Sequence, residues 1–519
     1  MISVFKYGVA TEVALLLAAA VPPRAEAKKR VLASVASQST SHALSMLPLL
    51  NRLADDGHEV VLVMDRYFPD YADYGSKIRR RSVDLVGVEN PYEDDALFKS
   101  IWREDYDALQ LTIVWKIMCD NVRHLMKHQN DEWEAALEGD WDLAVVDSLF
   151  TPQGIVIASQ RDIPRVLFHS TIFEQPVSGW YRAVHWPCVV CQPPFFMKHA
   201  AVDWSPDRFW DRWRSFLDAL WMTLQYVVVV DQLVGAALQQ SGVHDVHLAN
   251  FYRSTSIHIT DYPYRIGWPA PLAPEVLELG TVCFQPKTTR LSDSELEAFV
   301  SNPQSKGTIL IAFGSVARYE AIPRDILESM VDFISHDGFR DYRILWSYNG
   351  RPLELPAHVK TADWLPQKEI LAHPKTVLFV SHGGIKSWKE ALCSSVPTVF
   401  MAIFGDQLLN AYTAQRQGWG AYLNKLRLHD THYVVGVLED TLRRVDAMRL
   451  NAQRVRTLWL DSIVEPMDLA SFKLGQLLKR SNGRLSEKHV YRRVVSSWDY
   501  LGIVTGMTTC VFAIVARLQ

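Results

Sequence analysis

Short apolar runs alternate with helix-periodic stretches along most of the chain. Arg30 to Ala36 is a strand-like run of Val, Leu and Ala, a Ser/Thr-rich turn follows at Ser37 to Ser41, and a helical pattern then runs to Asp55-Asp56-Gly57. His58 to Met64 returns as a second strand, with Gly57 as the left-handed stop between them. Pro48 is expected in or near the first turn of that helix, because deeper placement removes a backbone hydrogen bond. Asp142 to Val146 is another short apolar strand, closed by Asp147. The pattern restarts after a Pro- and charge-containing segment: Thr308 to Phe313, Arg343 to Ser347, Thr376 to Ser381 and Pro397 to Met401 read as strands, with a helical stretch from Pro323 and further helical segments between. Such alternation builds parallel sheets. It predicts an α/β chain of two facing, doubly wound domains, spanning 28–284 and 308–480, with 285–307 as the linker.

The two ends depart from this pattern. Lys6, the apolar run Val9 to Val21, and Ala25-Glu26-Ala27 before Lys28 have the order of a cleavable signal peptide, residues 1–27. Near the carboxyl end, a juxtamembrane segment at 481–499 leads into an apolar run from Tyr500 to Ala516, read as a single transmembrane anchor over 500–518. The run is slightly short of the roughly 20 residues that span a bilayer. Its flanks, Arg492 and Arg493 before it against Arg517 after it, oppose the usual charge rule for a lumenal body.

With 48% apolar and 22% charged residues, 519 residues can fill more than one core. A net charge of -4 and the lack of a basic stripe give no reason to propose nucleic acid as a partner. Six cysteines are too few for a disulfide scaffold at this length. Cys188 and Cys191 lack a second pair or nearby His ligands, so they read as a local disulfide or ordinary thiols rather than a metal or redox site. Beyond Asp162 the chain is rich in aromatic residues and is the best region for selecting an apolar acceptor or lying against a membrane. Within it, Trp210, Trp213 and Leu217 stand at helical spacing and read as core.

Candidate chemistry collects at strand ends, where parallel sheets hold their ligands. His42 lies in the connection after the first strand and Asp147 ends another; meeting across the rim, the carboxylate would fix the imidazole tautomer and stabilise the imidazolium. Taken alone, each could be a helix cap. His382-Gly383-Gly384 follows a strand and opens a helix, where backbone amides and the helix N-terminus suit a phosphate. Trp364 can stack on a base, Gln367 and Glu390 can pair with ribose hydroxyls, and Asp406-Gln407 forms an acceptor and donor set for sugar hydroxyls. A buried Trp, a solvated Gln, a helix-face Glu and a turn are the bland readings, and the ordered co-occurrence of all four in one segment outweighs them.

Trp364, Gln367, His373-Pro374, His382-Gly383-Gly384, Glu390, Pro397 and Asp406-Gln407 fall at the spacing of the donor-binding signature of the UDP-glycosyltransferases, the family that includes the UDP-glucuronosyltransferases, and the segment resembles that signature. Ser41-His42, Gly57-His58-Glu59-Val60, Asp147 and the single-span tail extend the resemblance over nearly the whole chain. It implies a GT-B fold of two Rossmann-like domains, the first taking the acceptor and the second the UDP-sugar. It also implies direct, inverting displacement at the anomeric carbon, with His42 as base, Asp147 supporting it, and no required metal. The UDP-sugar is a co-substrate, so no resident cofactor is expected. Ser315, in the Gly314-Ser315 turn, and Lys386 join the UDP-sugar-binding set.

Three positions depart from the family pattern: Ser347 stands where a cation usually follows the Trp, Ile385-Lys386 replaces a small or amide position, and Ser394-Ser395 replaces a Gly before Pro397. Lys386 is expected to compensate for Ser347 at the diphosphate. The implied protein conjugates a sugar onto a hydroxyl of a lipophilic small molecule, anchored by one span in the endoplasmic reticulum membrane with its domains lumenal; self-association into a homo-oligomer is left open. A catalytically weak UDP-sugar-binding partner subunit, or an epimerase or hydrolase of the UDP-sugar, are the alternatives. The donor sugar stays open between glucuronic acid, glucose, xylose and N-acetylglucosamine, with Arg318 or Lys386 conceivable for a glucuronate carboxylate.

Overall fold

A computed structural model describes residues 28–480 without 69–72, 89–94, 106–107, 129, 161–162, 172–192, 195–196, 200–202, 241–242, 245–246, 269–274, 281–282, 284–289, 315–316 and 318. The signal peptide, the juxtamembrane segment and anchor, the Cys188/Cys191 pair, Ser315 and Arg318 therefore lie outside the described residues.

The first sheet is built from β1 (Arg30–Ser34), β2 (Glu59–Arg66), β3 (Arg79–Asp84), β4 (Leu143–Asp147), β5 (Arg165–His169), β6 (Ile257–Thr260) and β7 (Val276–Glu278), in the order β3-β2-β1-β4-β5-β6-β7. The second contains β8 (Thr308–Ala312), β9 (Arg343–Ser347), β10 (Val359–Ala362), β11 (Thr376–Ser381), β12 (Thr398–Phe400) and β13 (Gly420–Tyr422), in the order β10-β9-β8-β11-β12-β13. Every pairing is parallel: Val31 stands opposite Val60 on one side and Leu143 on the other, and Ile311 opposite Trp346 and Val380. Strands covered on both faces need apolar residues at consecutive positions, which is why β4 reads Leu-Ala-Val-Val before its acid. In each sheet the order reverses between the first strand and the fourth, at β1/β4 and at β8/β11. Those two reversals open the crevices in which doubly wound sheets hold ligands. Two Rossmann-like domains of this kind are the GT-B arrangement.

Helices fix the layers. α1 (Thr40–Asp55) buries Met46, Leu49, Leu50 and Leu53 at helical spacing against the first sheet. Pro48 lies in the interior of α1 and not in its first turn, so the expectation drawn from its missing N–H fails. The helix tolerates the lost bond because four apolar neighbours hold its inner face, an example of tertiary packing overriding propensity.

α2 (Asp95–Arg103) belongs to the first half by sequence yet docks on the second domain. Its Trp102 is buried among Phe313 and Tyr319, with ring centroids 6.4 and 6.2 Å away. α3 (Ala108–Lys127) and α4 (Pro152–Gln160) cover the other face of the first sheet. With them packs a long helix comprising α5 (Phe209–Leu224), a π-helical turn at Gln225–Val230, and α6 (Asp231–Gln240).

This long helix is long and apolar enough to cross a membrane by length and composition. Its inner side, with Met222, Tyr226, Val230 and Val234, belongs to the first core. Its outer side corrects the sequence reading: Trp210, Trp213 and Leu217, expected in the core, are exposed, Trp210 by 73%. They continue through Trp221, Leu224 and Val228 as one exposed apolar stripe. Both sides of this helix are apolar, so periodicity alone does not separate them.

The second half adds α7 (Gln367–Ala372), α8 (Ile385–Cys393), α9 (Gln407–Arg416) and, last, α10 (Pro466–Arg480). The stretch read as a linker contains a further helix, Ser294–Val300, capped by the Asp293 carboxylate. α10 crosses back to the first domain, where Ala470, Leu474, Leu477 and Leu478 join the α1 core and Arg52 pairs with Asp468. A disulfide joins Cys283 to Cys393 at the end of α8, with Cα atoms 5.4 Å apart. Other links across the domains are a part-buried Lys389–Asp261 ion pair and the Trp268 Nε1 bond to Thr413 Oγ1 at 3.1 Å.

Candidate active site

His42 is the third residue of α1, just past the end of β1, and Asp147 is the last residue of β4, so the first reversal point brings them together. His42 Nδ1 lies 2.5 Å from Asp147 Oδ2, and the carboxylate side chain has no exposed surface. A carboxylate can only accept there, so Nδ1 carries the proton and Nε2 is the basic nitrogen left over. Burial lowers the imidazole pKa, but the charge and hydrogen bond of Asp147 outweigh it, and the pKa is raised above 6.5. Two second-domain groups act on the same ring: Asp406 raises its pKa and Lys386 lowers it.

A third member escaped the sequence reading. Ser170 Oγ donates to Asp147 Oδ1 at 3.0 Å and lies 2.9 Å from His42 Nδ1. Because β5 pairs beside β4, the residue just past β5 emerges next to Asp147. The run Arg165 to His169 is apolar enough to be read as a strand, and that was the available signal.

The turn that delivers His42 is held from beneath, also unforeseen. Ser37 Oγ donates to the buried Asp65 carboxylate, Asn121 Nδ2 donates to Ser37 Oγ at 3.1 Å, and Gln153 Nε2 donates to Val35 O at 2.7 Å and Asp65 Oδ1 at 2.8 Å. These partners come from four separate segments, and no local spacing announces them.

The second reversal point holds the other candidates. His382 follows β11, and Gly383 and Gly384 lead into α8. The glycines are required by space. Gly383 has φ +87° and a Cβ there would stand 3.0 Å from Gln407 O; a Cβ on Gly384 would stand 2.5 Å from His382 Nε2, and one on Gly314 at 2.9 Å. The buried His382 ring is thus seated between two glycines from different strands' ends, and burial pushes its pKa down to about 4, so it is a neutral imidazole.

Trp364 is 77% exposed, which removes the buried-core reading and leaves a bare indole face. Gln367 Nε2 donates to Glu390 Oε2 at 2.6 Å and Ser387 Oγ at 3.1 Å, so the amide at the start of α7 and the carboxylate on α8 form one unit. Asp406 is buried and its pKa rises to about 6, with Asn410 Nδ2 donating to it at 3.2 Å. Gln407 Oε1 accepts from Ile403 N and Phe404 N at 2.9 and 3.1 Å, leaving its NH2 group as a donor. Lys386, the second residue of α8, is half-buried and held down to about 8 by burial, with Glu390 and Asp261 opposing. It does not point to open solvent, whereas Ser347 Oγ only reaches Asp363 O at 3.5 Å.

A basic ring held by a carboxylate on one rim and an anion-ready helix start on the other can deprotonate a hydroxyl while holding a diphosphate leaving group. Residues 30–490 match the family described as UDP-glucoronosyl and UDP-glucosyl transferase. The chain is 26% identical over 459 residues to UDP-glucuronosyltransferase 1A1 of Rattus norvegicus, covering 85% of this chain and 80% of the relative. It is likewise 26% identical over 458 residues to UDP-glucuronosyltransferase 1A6 of Homo sapiens, covering 84% and 81%. Among solved structures, the glycotransferase of kitacinnamycin aligns with TM-score 0.58 at 15% identity, covering 88% of this chain and all of that one. A variant of Os79 from O. sativa in complex with UDP aligns with TM-score 0.56 at 17% identity, covering 86% and 99%.

Proposed function

The chain belongs to the UDP-glucoronosyl and UDP-glucosyl transferase family and is a glycosyltransferase that takes its sugar from a UDP-sugar, and on that premise we propose that it transfers a hexosyl or glucuronosyl group to a hydroxyl of a lipophilic small molecule with inversion. The observation that carries the mechanism is the His42–Asp147 contact at 2.5 Å, seated where the first sheet opens toward the second domain. His42 Nε2 takes the acceptor's proton as its oxygen attacks the anomeric carbon. The bond from that carbon to the β-phosphate oxygen breaks, and its electron pair leaves with UDP. Asp147 stabilises the imidazolium, and Ser170 holds the carboxylate in place.

In the same reading, the amides of Gly383 and Gly384, the neutral His382 and the Lys386 ammonium stabilise the departing diphosphate; transition-state charge met by preorganised donors is commonly the largest catalytic contribution. Trp364 stacks on the base, Gln367 and Glu390 hold the ribose, and Asp406 and Gln407 hold the sugar. Ser315 would join the phosphate contacts. The first domain binds the acceptor and the second the donor. Residence in the endoplasmic reticulum lumen, with one span through its membrane, completes the proposal; its support is the Cys283–Cys393 disulfide, since such bonds persist in oxidising compartments.

UDP release should be measured with UDP-glucuronate, UDP-glucose, UDP-xylose and UDP-N-acetylglucosamine against a panel of phenols, sterols and flavonoids. Transfer that disappears in His42→Ala is expected. Tight UDP binding without transfer to any acceptor would instead make the chain a binding partner, and free sugar or epimer formed without acceptor would make it a hydrolase or epimerase.

A further inference from the structure

Lys425, just after β13, takes no part in the chemistry above, yet only 2% of its surface is exposed. A buried ammonium persists where its protons are taken up. Its Nζ donates to two main-chain carbonyls, Ile101 O at 2.6 Å and Ile403 O. Ile101 belongs to α2, the first-half helix docked on the second core. Ile403 begins the stretch that ends in Asp406 and Gln407, and its N–H, together with that of Phe404, donates to Gln407 Oε1. The Ile403 residue is therefore gripped on its amide side by a donor-site candidate and on its carbonyl side by Lys425.

The surroundings of Lys425 also come from the first half. Glu104 and Asp105, immediately after α2, oppose the fall of its pKa that burial causes, to about 8. Asp105 Oδ1 also accepts from His199 N at 3.1 Å, and the His199 ring lies against Tyr422 with centroids 5.8 Å apart. Two carbonyls from opposite halves of the chain ask for a donor with several protons.

We propose that Lys425 is a positioning residue that ties α2 to the Ile403–Gln407 loop, so that docking of α2 and binding of the UDP-sugar are thermodynamically linked. The inference rests on Asp406 and Gln407 contacting the donor sugar. Linkage is reciprocal: the factor by which docked α2 tightens the donor is the factor by which donor tightens α2. α2 thereby reports on an occupied donor site from within the half that takes the acceptor.

The test uses the full chain with UDP-glucuronate, UDP-glucose, UDP-xylose and UDP-N-acetylglucosamine as probes, titrated by calorimetry and followed by amide hydrogen exchange. Wild-type protein is expected to bind one of them and to gain protection over residues 95–103. Lys425→Met is expected to bind that probe about tenfold more weakly, as loss of a hydrogen bond from a charged donor implies. It should raise the donor KM more than the acceptor KM and abolish the donor-induced protection of α2. Binding by wild type with no change at 95–103 overturns the linkage alone, and this arm decides even if the variant fails to fold. A folded Lys425→Met with unaltered donor affinity also overturns it. Failure of wild type to bind any of the four probes overturns the donor-site reading, and this proposal with it.

Discussion

At the scale of single residues, the site is a set of constraints on a few atoms. In the proposed reaction His42 acts only when neutral, and Asp147 raises its pKa, so the acid limb of kcat/KM is expected above that of a free imidazole. Asp147→Asn is expected to move that limb to lower pH and to cut kcat by about 10²- to 10⁴-fold, read from a pH–rate profile. Gly384→Ala places a methyl carbon against His382 Nε2 and should raise the donor KM while leaving acceptor KM nearly unchanged. Ser395 shows the opposite case. It stands where the family pattern has glycine, adopts φ +54°, and its buried hydroxyl has no hydrogen-bond partner among the described residues. Ser395→Gly should therefore stabilise the protein by roughly 1 kcal/mol, measured by chemical denaturation, because it removes both a left-handed penalty and an orphaned hydroxyl.

At the scale of elements, what was legible was what is local. The strands Arg343–Ser347 and Thr376–Ser381 stand where their apolar runs put them, and the His382-Gly383-Gly384 turn opens a helix as its composition implies. Pro48 misled because local propensity yields to four buried neighbours, and the α5 tryptophans misled because a helix apolar on both sides does not say which side faces in. Trp210→Ser should change unfolding free energy by no more than about 0.5 kcal/mol, as for other surface positions. Trp115→Ser, in the core between Phe150 and Tyr226, should cost several-fold more. Ser170 and the Cys283–Cys393 bond were not legible: one needs strand neighbours, the other a pairing over 110 residues. Reducing that bond should lower stability by on the order of 2–4 kcal/mol, visible as a lower midpoint in thermal melts with a thiol reductant.

At the scale of the whole molecule, the two domains do not correspond to two halves of the chain. α2 leaves the first half to place Trp102 among the aromatic rings of the second core, and α10 leaves the second half to complete the α1 face. Deleting residues after Leu460 removes α10 from the α1 face and should therefore unfold the first domain; a circular dichroism melt would lose that domain's cooperative transition. For the same reason, exchanging the whole first half between such chains as a single cassette should disrupt both cores. One crossover in 285–307 would pair a borrowed α2 with a foreign second core and a native α10 with a foreign first one. A workable graft must carry both helices with the cores they complete, so recombination within this architecture favours point changes in the first half over wholesale replacement of it.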